Sequence, residues 1–178
     1  MKSDGEIVRR HGPMVWKTIW RLVGGIGRDA DAADCFQEVF LAALEAGRRE
    51  EVRNWEAMLR RIATAKGLDM LRTRIRRRGR EAARPEWEEL ADRIEPPGAS
   101  LEHAELAGEL REALARLWAE EAELFCLRHL EEMSYEQIGE AMGMTTSAVG
   151  VGLHRVKEKL RGWLTAGKIA SEDEVRSE

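Results

Sequence analysis

The chain has 178 residues, of which 43% are hydrophobic, 35% charged and only 6% aromatic, a balance that predicts a soluble, mainly helical protein rather than a strand-based one. No run of about 18 apolar residues occurs, and the first residues are polar, so we expect a cytoplasmic protein without a membrane partner. The length is compatible with two compact lobes, each with a modest core.

The net charge of -4 hides two blocks of opposite sign. Residues 48–84 hold 13 lysines and arginines against 5 acidic residues, which gives +8, whereas residues 85–125 hold 3 against 12, which gives -9. Affinity for phosphates depends on the local patch rather than on the sum, so the basic block is a candidate nucleic-acid surface despite the acidic total.

Three helices are predicted in the first half of the chain. The first has apolar residues at helical spacing from Ile7 to Val23, with a kink or restart at Gly12-Pro13. The second opens near Asp29 or Asp31, whose carboxylates suit the positive end of a helix dipole, and ends near Gly47. The third begins at the N-cap candidate Asn54.

The third helix ends in an arginine run, with six arginines between Arg72 and Arg80. An isolated run of this kind is usually a solvated helix end. Here it closes a long amphipathic helix rather than a floppy terminus, which favours a functional interpretation.

Residues 81–104 are acidic, contain Pro85 and Pro96-Pro97-Gly98, and have few apolar anchors, which is typical of a flexible exposed linker. We therefore predict an all-α fold of two small helical domains, residues 1–80 and 105–165, followed by an acidic tail at 166–178.

The second domain contains a predicted helix-turn-helix. Ser134 and Gln137 have the spacing of a capping box, Gly143 is placed for a C-terminal cap with positive φ, and Thr145 can cap the next helix. The next helix buries a stripe of Val149, Leu153, Val156 and Leu160 and would offer its other side to a major groove. Helical hairpins with a glycine turn do not all bind DNA, so this motif alone does not establish function.

No constellation for catalysis is visible. His11, His103, His129 and His154 are scattered, and no serine or cysteine has an evident histidine partner. Cys35 and Cys126 lie in separate helices outside any metal-ligand pattern, so buried free thiols are expected. We predict a non-enzymatic protein with no cofactor and no metal.

A polar set on the second helix shares one face: Asp31, Asp34, Gln37, Glu38 and Leu41. Periodicity alone favours a solvent-facing surface.

Four segments in this order nevertheless resemble the sigma-70 family, specifically its extracytoplasmic-function group, over about 150 residues: "RRHGPMVWKTIWRLV", "DADAADCFQEVFLAAL", "MLRRIATAKGLDMLRTRIRRR" and "ELFCLRHLEEMSYEQIGEAMGMTTSAVGVGLHRVKEKL". The second segment keeps the Asp-x-x-Gln-Glu-x-Phe core of the family. The resemblance implies that its polar set, from Asp31 to Leu41, binds the clamp helices of the polymerase's largest subunit.

The resemblance assigns the third helix and the loop at residues 47–52 to the minus-ten promoter element, whose non-template strand presents a flipped base. The implied contacts are Arg48, Arg49, Arg61, Thr64, Ala65, Lys66, Arg72 and Arg74. Ala65 departs from the family, which commonly has Asn there.

The last segment is similar to the domain that reads the minus-thirty-five element and touches the flap of the second-largest subunit. The implied contacts are Ser134, Tyr135, Thr146, Ser147, Gly150, His154 and Arg155. Gly150 and Gly152 stand where the family usually has Lys and Arg. Either these positions have drifted, or the helix approaches DNA or a partner helix too closely for a longer side chain.

The implied function is that of an RNA polymerase sigma factor, which binds core polymerase and directs promoter recognition, melting and initiation. Its expected partners are core polymerase, promoter DNA and an anti-sigma factor. Two alternatives stay open: a stand-alone helix-turn-helix regulator, and a sequestering module that keeps the sigma shape without reading promoters.

Overall fold

The computed structural model describes residues 4–23, 29–81 and 101–175, and all regular structure in these ranges is helical. Seven helices follow in chain order: α1 Asp4–Val23, α2 Asp29–Arg49, α3 Trp55–Glu81, α4 Leu101–Arg116, α5 Ala119–His129, α6 Tyr135–Met142 and α7 Thr146–Val175. The all-α prediction is confirmed.

Of the kink or restart expected at Gly12-Pro13, the restart does not occur, because α1 runs through this pair as one helix. Pro13 lies on the exposed side of the helix, as does Arg9, so water can reach the carbonyl that loses its helical donor. Gly12 is buried against the ring of Phe36, and a Cβ there would lie 3.5 Å from Phe36 Cζ. The glycine therefore lets α1 pack closely on α2.

The helix ends differ from prediction at the linker and the tail. Helix α3 extends to Glu81, α4 begins at Leu101, and α7 continues to Val175, so both ends of the predicted linker and most of the predicted tail have a helical backbone. The remaining linker, residues 82–100, lies outside the described residues, as do residues 24–28 and 176–178.

The main apolar cluster crosses between the two predicted domains. It joins Ile19 of α1, Val39 of α2 and Leu71 of α3 to Leu114 of α4 and Val156 of α7. This differs from the expectation of two lobes with separate cores. Helix α3 has the central position, because it packs on α1 and α2 and also on α4, α5 and α6. Its apolar residues cover more than one side, so it can be buried from two directions.

A smaller apolar cluster holds the helix-turn-helix together, with Leu124 and Leu127 of α5 against Ile138 of α6 and Val149 and Leu153 of α7. The local signals that predicted this motif are confirmed. The Ser134 hydroxyl accepts a hydrogen bond from the Gln137 backbone N at 3.2 Å, and the Gln137 side chain accepts one from the Ser134 backbone N. Gly143 has a φ of 69°, and Thr145 Oγ1 accepts a hydrogen bond from the Ala148 backbone N at 3.2 Å.

Candidate polymerase and promoter surfaces

Helix α2 presents one exposed polar face. Asp34, Gln37, Glu38 and Leu41 are all exposed, and Leu41 retains 62% of its accessible surface. The opposite side of the helix is buried through small and apolar residues, namely Ala32, Cys35, Val39 and Ala43. Four of the five predicted polymerase contacts thus share a surface open to a partner.

Asp31, the fifth predicted contact, has a different environment. Its carboxylate accepts from Arg74 Nη2 at 3.2 Å, and Arg74 also donates to the carbonyl of Val23 at 3.0 Å. The Arg74 side chain is only 10% exposed. In this structure Arg74 therefore ties the ends of α1 and α2 to α3 and does not offer its guanidinium to DNA.

A cavity of about 700 Å³ lies beside the loop that precedes α3. Four predicted minus-ten residues line it: Arg49, Arg61, Ala65 and Lys66. Its other wall comes from Glu123, Glu140 and Ala141 of the second region. The predicted base-binding loop and the middle of α3 are thus brought together in one recess of mixed charge, which α5 and α6 close on one side.

Four predicted minus-ten residues lie outside the cavity, namely Arg72 and Arg74 besides Arg48 and Thr64. Thr64 is completely buried, so its side chain does not reach the surface, because it falls on the core side of α3. Arg48 is exposed, and its guanidinium is 3.3 Å from the carboxylate of Asp4. Neither residue lines the cavity.

An ion pair connects the polar face of α2 to the cavity. Lys66 Nζ lies 2.9 Å from Glu38 Oε2, and this hydrogen bond raises the pKa of the lysine. Both side chains are largely exposed, so the pair adds little stability by itself. It does place Glu38, a predicted polymerase contact, within hydrogen-bonding distance of Lys66, a predicted DNA contact.

Three arginines of α3 contact the second region, namely Arg60, Arg61 and Arg72. Arg61 Nε donates to Glu123 Oε1 at 2.7 Å, and Arg61 Nη1 donates to the carbonyl of Ala141 at 2.6 Å. Arg60 donates to Glu131, whose side chain is 2% exposed, at 2.7 Å. Arg72, a predicted DNA contact, donates to Asp69 at 3.2 Å and to a carbonyl at the end of α4 at 3.4 Å.

The sequence did not single out Glu123 or Glu131 as partners of α3. The acidic character of residues 85–125 is visible in the sequence, but it was attributed to the linker. The position of Glu123 indicates a packing contact more directly, because this residue comes immediately before the buried Leu124 at the edge of an apolar stripe. A carboxylate in that position is at the margin of a packing face.

The recognition helix α7 exposes Thr146, Ser147, His154 and Arg155, as predicted for a helix that faces a major groove. Tyr135, at the start of α6, is 38% exposed, and the guanidinium of Arg128 lies 5.5 Å from the centre of its ring. Of the predicted minus-thirty-five residues, all except the partly buried Ser134 and Gly150 are therefore exposed.

Gly152 owes its place to packing inside the protein. A Cβ at this position would lie 2.6 Å from Leu124 Cδ2, so any side chain there would require the end of the Leu124 side chain on α5 to shift. At Gly150 a Cβ would meet the Tyr135 ring at 3.4 Å, which is ordinary contact. The close approach considered for these glycines is real at Gly152, but its partner is α5 of the same chain rather than DNA.

Both cysteines are buried free thiols. Burial is the main cause that raises the pKa of Cys35 to about 11 and that of Cys126 to about 12. Within the described ranges, no group of three or more His, Cys, Asp or Glu side chains is placed to hold a metal ion, and no helix is both long and apolar enough to cross a membrane.

Two family models match this chain in the order of its helices. The model for sigma-70 region 2 matches residues 7–78, and the model for sigma-70 region 4 matches residues 107–160. The chain belongs to the sigma-70 family, in its extracytoplasmic-function group. Region 2 thus corresponds to α1, α2 and most of α3, and region 4 contains the helix-turn-helix.

A curated relative is named as a member of the same group of sigma factors. The chain is 31% identical over 167 residues to the ECF RNA polymerase sigma factor SigE of Mycolicibacterium smegmatis, an alignment that includes 92% of this chain. It spans 62% of the length of that relative.

Two solved structures are similar in fold. The structure of CnrH in complex with the cytosolic domain of CnrY aligns with a TM-score of 0.55 and 27% identity, over 92% of this chain and 88% of that chain. The sigma factor RpoE in complex with the anti-sigma factor NepR from Bartonella quintana aligns with a TM-score of 0.52 and 20% identity, over 89% and 94%. The second likeness shows the fold alone.

Proposed function

We propose that this protein is an RNA polymerase sigma factor, which binds core polymerase through the exposed face of α2 and directs it to promoters. The clamp helices of the largest subunit are the proposed partner of Asp34, Gln37, Glu38 and Leu41. Carboxylates and an amide on one face are well suited to pair with arginines of a partner helix. The proposed site of action is the cytoplasm, where the polymerase is, and no catalytic step is assigned to the chain itself.

The observation that carries this proposal is the contact between Glu38 and Lys66 at 2.9 Å. It places the proposed polymerase surface directly beside the recess that is proposed to receive the minus-ten strand. A stand-alone regulator does not require a polymerase surface next to a binding site for single-stranded DNA, because it binds only duplex DNA through its helix-turn-helix. The adjacency fits a protein that presents melted DNA to the enzyme it is bound to.

The same proposal requires regions 2 and 4 to separate. The minus-ten and minus-thirty-five elements lie about 85 Å apart along B-form DNA, from about 25 base pairs at ~3.4 Å each. In this structure Arg61 of α3 touches Ala141 of α6, so the two DNA surfaces are held together. We therefore propose that this closed arrangement is the resting form, and that polymerase, by binding both regions at distant points, opens it.

An anti-sigma factor is included among the proposed partners. The similar proteins CnrH and RpoE were each solved in complex with another protein, named as the anti-sigma factor NepR in the second case. A protein that bound this chain across both regions would stabilise the closed arrangement.

The test is transcription with purified core polymerase and no other sigma factor, on genomic DNA fragments. A sigma factor should give discrete transcripts that disappear when Glu38 is replaced by Lys. A stand-alone regulator would give transcripts only after another sigma factor is added. A sequestering module would bind core polymerase and give none, and either result would contradict the proposal.

A further inference from the structure

The outward face of the recognition helix is centred on an apolar residue, Val151, which is 50% exposed. The buried stripe of α7 contains Val149 and Leu153, both of them fully or almost fully buried. At 100° per residue in an ideal helix, Val151 points about 160° away from each of these neighbours. It therefore occupies the middle of the surface that faces away from the domain.

The residues one turn before and one turn after Val151 complete this surface. Ser147 lies four residues before Val151 and Arg155 four residues after it, while His154 lies three residues after Val151. All three side chains are exposed. A helix that enters a major groove with this face would bring Val151 closer to the base edges than any residue nearer its sides.

Stability does not account for a valine at this place. A β-branched residue on an exposed helix surface lowers helix stability by up to about 0.7 kcal/mol relative to Ala. Half of the Val151 surface stays in water, so burial offsets only part of that cost. A partner that covers the side chain would complete its burial.

The glycines on both sides of Val151 shape what it can meet. A side chain at position 152 would displace the end of the Leu124 side chain, and Gly150 leaves only backbone beside the Tyr135 ring. No long side chain therefore stands between Val151 and an approaching groove. Gly150 and Gly152 stand where the family usually has Lys and Arg, and they carry no side-chain hydrogen-bond donor. Recognition of guanine by a basic side chain is therefore lost at these two positions.

We infer that Val151 is a specificity-determining residue that packs against the C5-methyl group of a thymine in the upstream promoter element. The thymine methyl is the apolar group that a base pair presents in the major groove, and apolar side chains are its usual partners. This inference rests on the proposed function, because it requires α7 to lie in a major groove. It predicts a preference for thymine at the base pair that faces the middle of α7.

The experiment uses the full chain bound to core polymerase and a duplex selected by that holoenzyme from DNA randomised upstream of the start site. Each thymine of the selected element is then replaced by deoxyuridine, which removes only the methyl group. For the native chain, one position should weaken binding about fourfold, as expected for one lost methyl contact. Val151→Ala should bind the thymine duplex about fourfold less tightly and should no longer distinguish uracil from thymine at that position.

Two controls separate this contact from a general defect. Val151→Ala should melt at or slightly above the native temperature, because alanine favours the helix. It should also leave the slope of log affinity against log salt unchanged, since no phosphate contact is lost. His154→Ala, on the same face, should keep the uracil effect.

Equal sensitivity of the native chain and Val151→Ala to uracil at every position, or no sensitivity at all, would overturn the assignment of Val151 while leaving the sigma function standing. A holoenzyme that enriches no sequence and makes no transcript would overturn both. The two failures are therefore distinguishable from one set of binding and transcription measurements.

Discussion

Arg61 and Glu123, which lie in different family regions, share a hydrogen bond of 2.7 Å between Nε and Oε1. The carboxylate side chain is 10% exposed and the guanidinium side chain 45% exposed. A group predicted to contact promoter DNA is thus paired with a carboxylate that competes with phosphate for it. The pair links the closed arrangement of the helices to the accessibility of the proposed DNA surface.

Replacement of Glu123 by Gln should loosen the closed arrangement and free Arg61. The loss of a partly exposed charged hydrogen bond corresponds to about 1 kcal/mol, so the free protein should bind a fluorescent single-stranded oligonucleotide roughly fivefold more tightly. Glu121→Gln is the matched control, because Glu121 pairs with Lys159 inside region 4. Equal affinities for both variants and the native chain would show that Glu123 does not limit access.

Reversal of charge at Glu38 should abolish polymerase binding without unfolding the protein. Glu38→Lys places a second cation beside Lys66 on an exposed helix face, where substitutions usually cost less than about 0.5 kcal/mol of stability. Charge reversal at a paired interface costs far more in binding. Pull-down of core polymerase and thermal melting measure the two effects separately.

The matched variant is Lys66→Ala, which removes the partner of Glu38 but keeps the polymerase face intact. It should bind polymerase normally and open promoters poorly, as followed by permanganate reactivity of unpaired thymines. Normal polymerase capture by Glu38→Lys would refute the proposed clamp surface.

Gly150 and Gly152 of α7 should respond differently to the same substitution. Gly152→Ala should gain less stability than Gly150→Ala, because its new Cβ lies 2.6 Å from the end of the Leu124 side chain, which must shift within a packed cluster and so offsets the gain in helix propensity. Gly150→Ala meets only the Tyr135 ring at contact distance and gains helix propensity, so it should be neutral or stabilising by up to about 1 kcal/mol. Urea unfolding of both variants decides the matter, and equal stabilities would contradict the close packing of α5 and α7.

Cys126 should report opening of the closed arrangement. It is completely buried within the cluster that both regions share, and its pKa is raised to about 12, so the reactive thiolate is scarce at neutral pH. In a Cys35→Ala background, alkylation of Cys126 at pH 8 should be slow in the free chain. Core polymerase should accelerate it severalfold, and a rate unaffected by polymerase would argue against separation of the regions.

The same pKa values predict a loss of stability in alkaline solution. Both thiols stay protonated in the folded chain above pH 9.0, their ordinary pKa, while the unfolded chain ionises. The free energy of unfolding is unaffected by them below that pH and falls as pH rises from about 9 towards about 11 and 12. The double variant Cys35→Ala/Cys126→Ala should show a shallower fall over this range in denaturant titrations.

Local signals in the sequence were sufficient for the helices and their caps. Asn54 accepts from the Ala57 backbone N at 3.0 Å, and Ser134 and Gln137 form their capping box, because such contacts depend on residues three positions apart. The exposed face of α2 follows from helical periodicity for the same reason.

Contacts between distant segments were not predictable in this way. Arg74 and Thr64 have the residue types of a DNA surface, yet one is held by Asp31 and the other is buried. Their roles depend on how α3 is rotated against α1 and α2, which periodicity does not specify for a helix with apolar residues on several sides. Glu123 could be recognised as a partner of Arg61 only after α5 was packed on α3.

The apolar cluster that spans both regions also affects how the protein is made. Val156 and Leu160 of α7 belong to the same cluster as Ile7 and Val15 of α1, so the first helices stay incomplete until nearly the whole chain has left the ribosome. A product that terminates before α7 keeps this apolar surface open and becomes a target for chaperones and proteases. Incomplete products, which would carry the proposed polymerase surface without the helix-turn-helix, would thereby be removed.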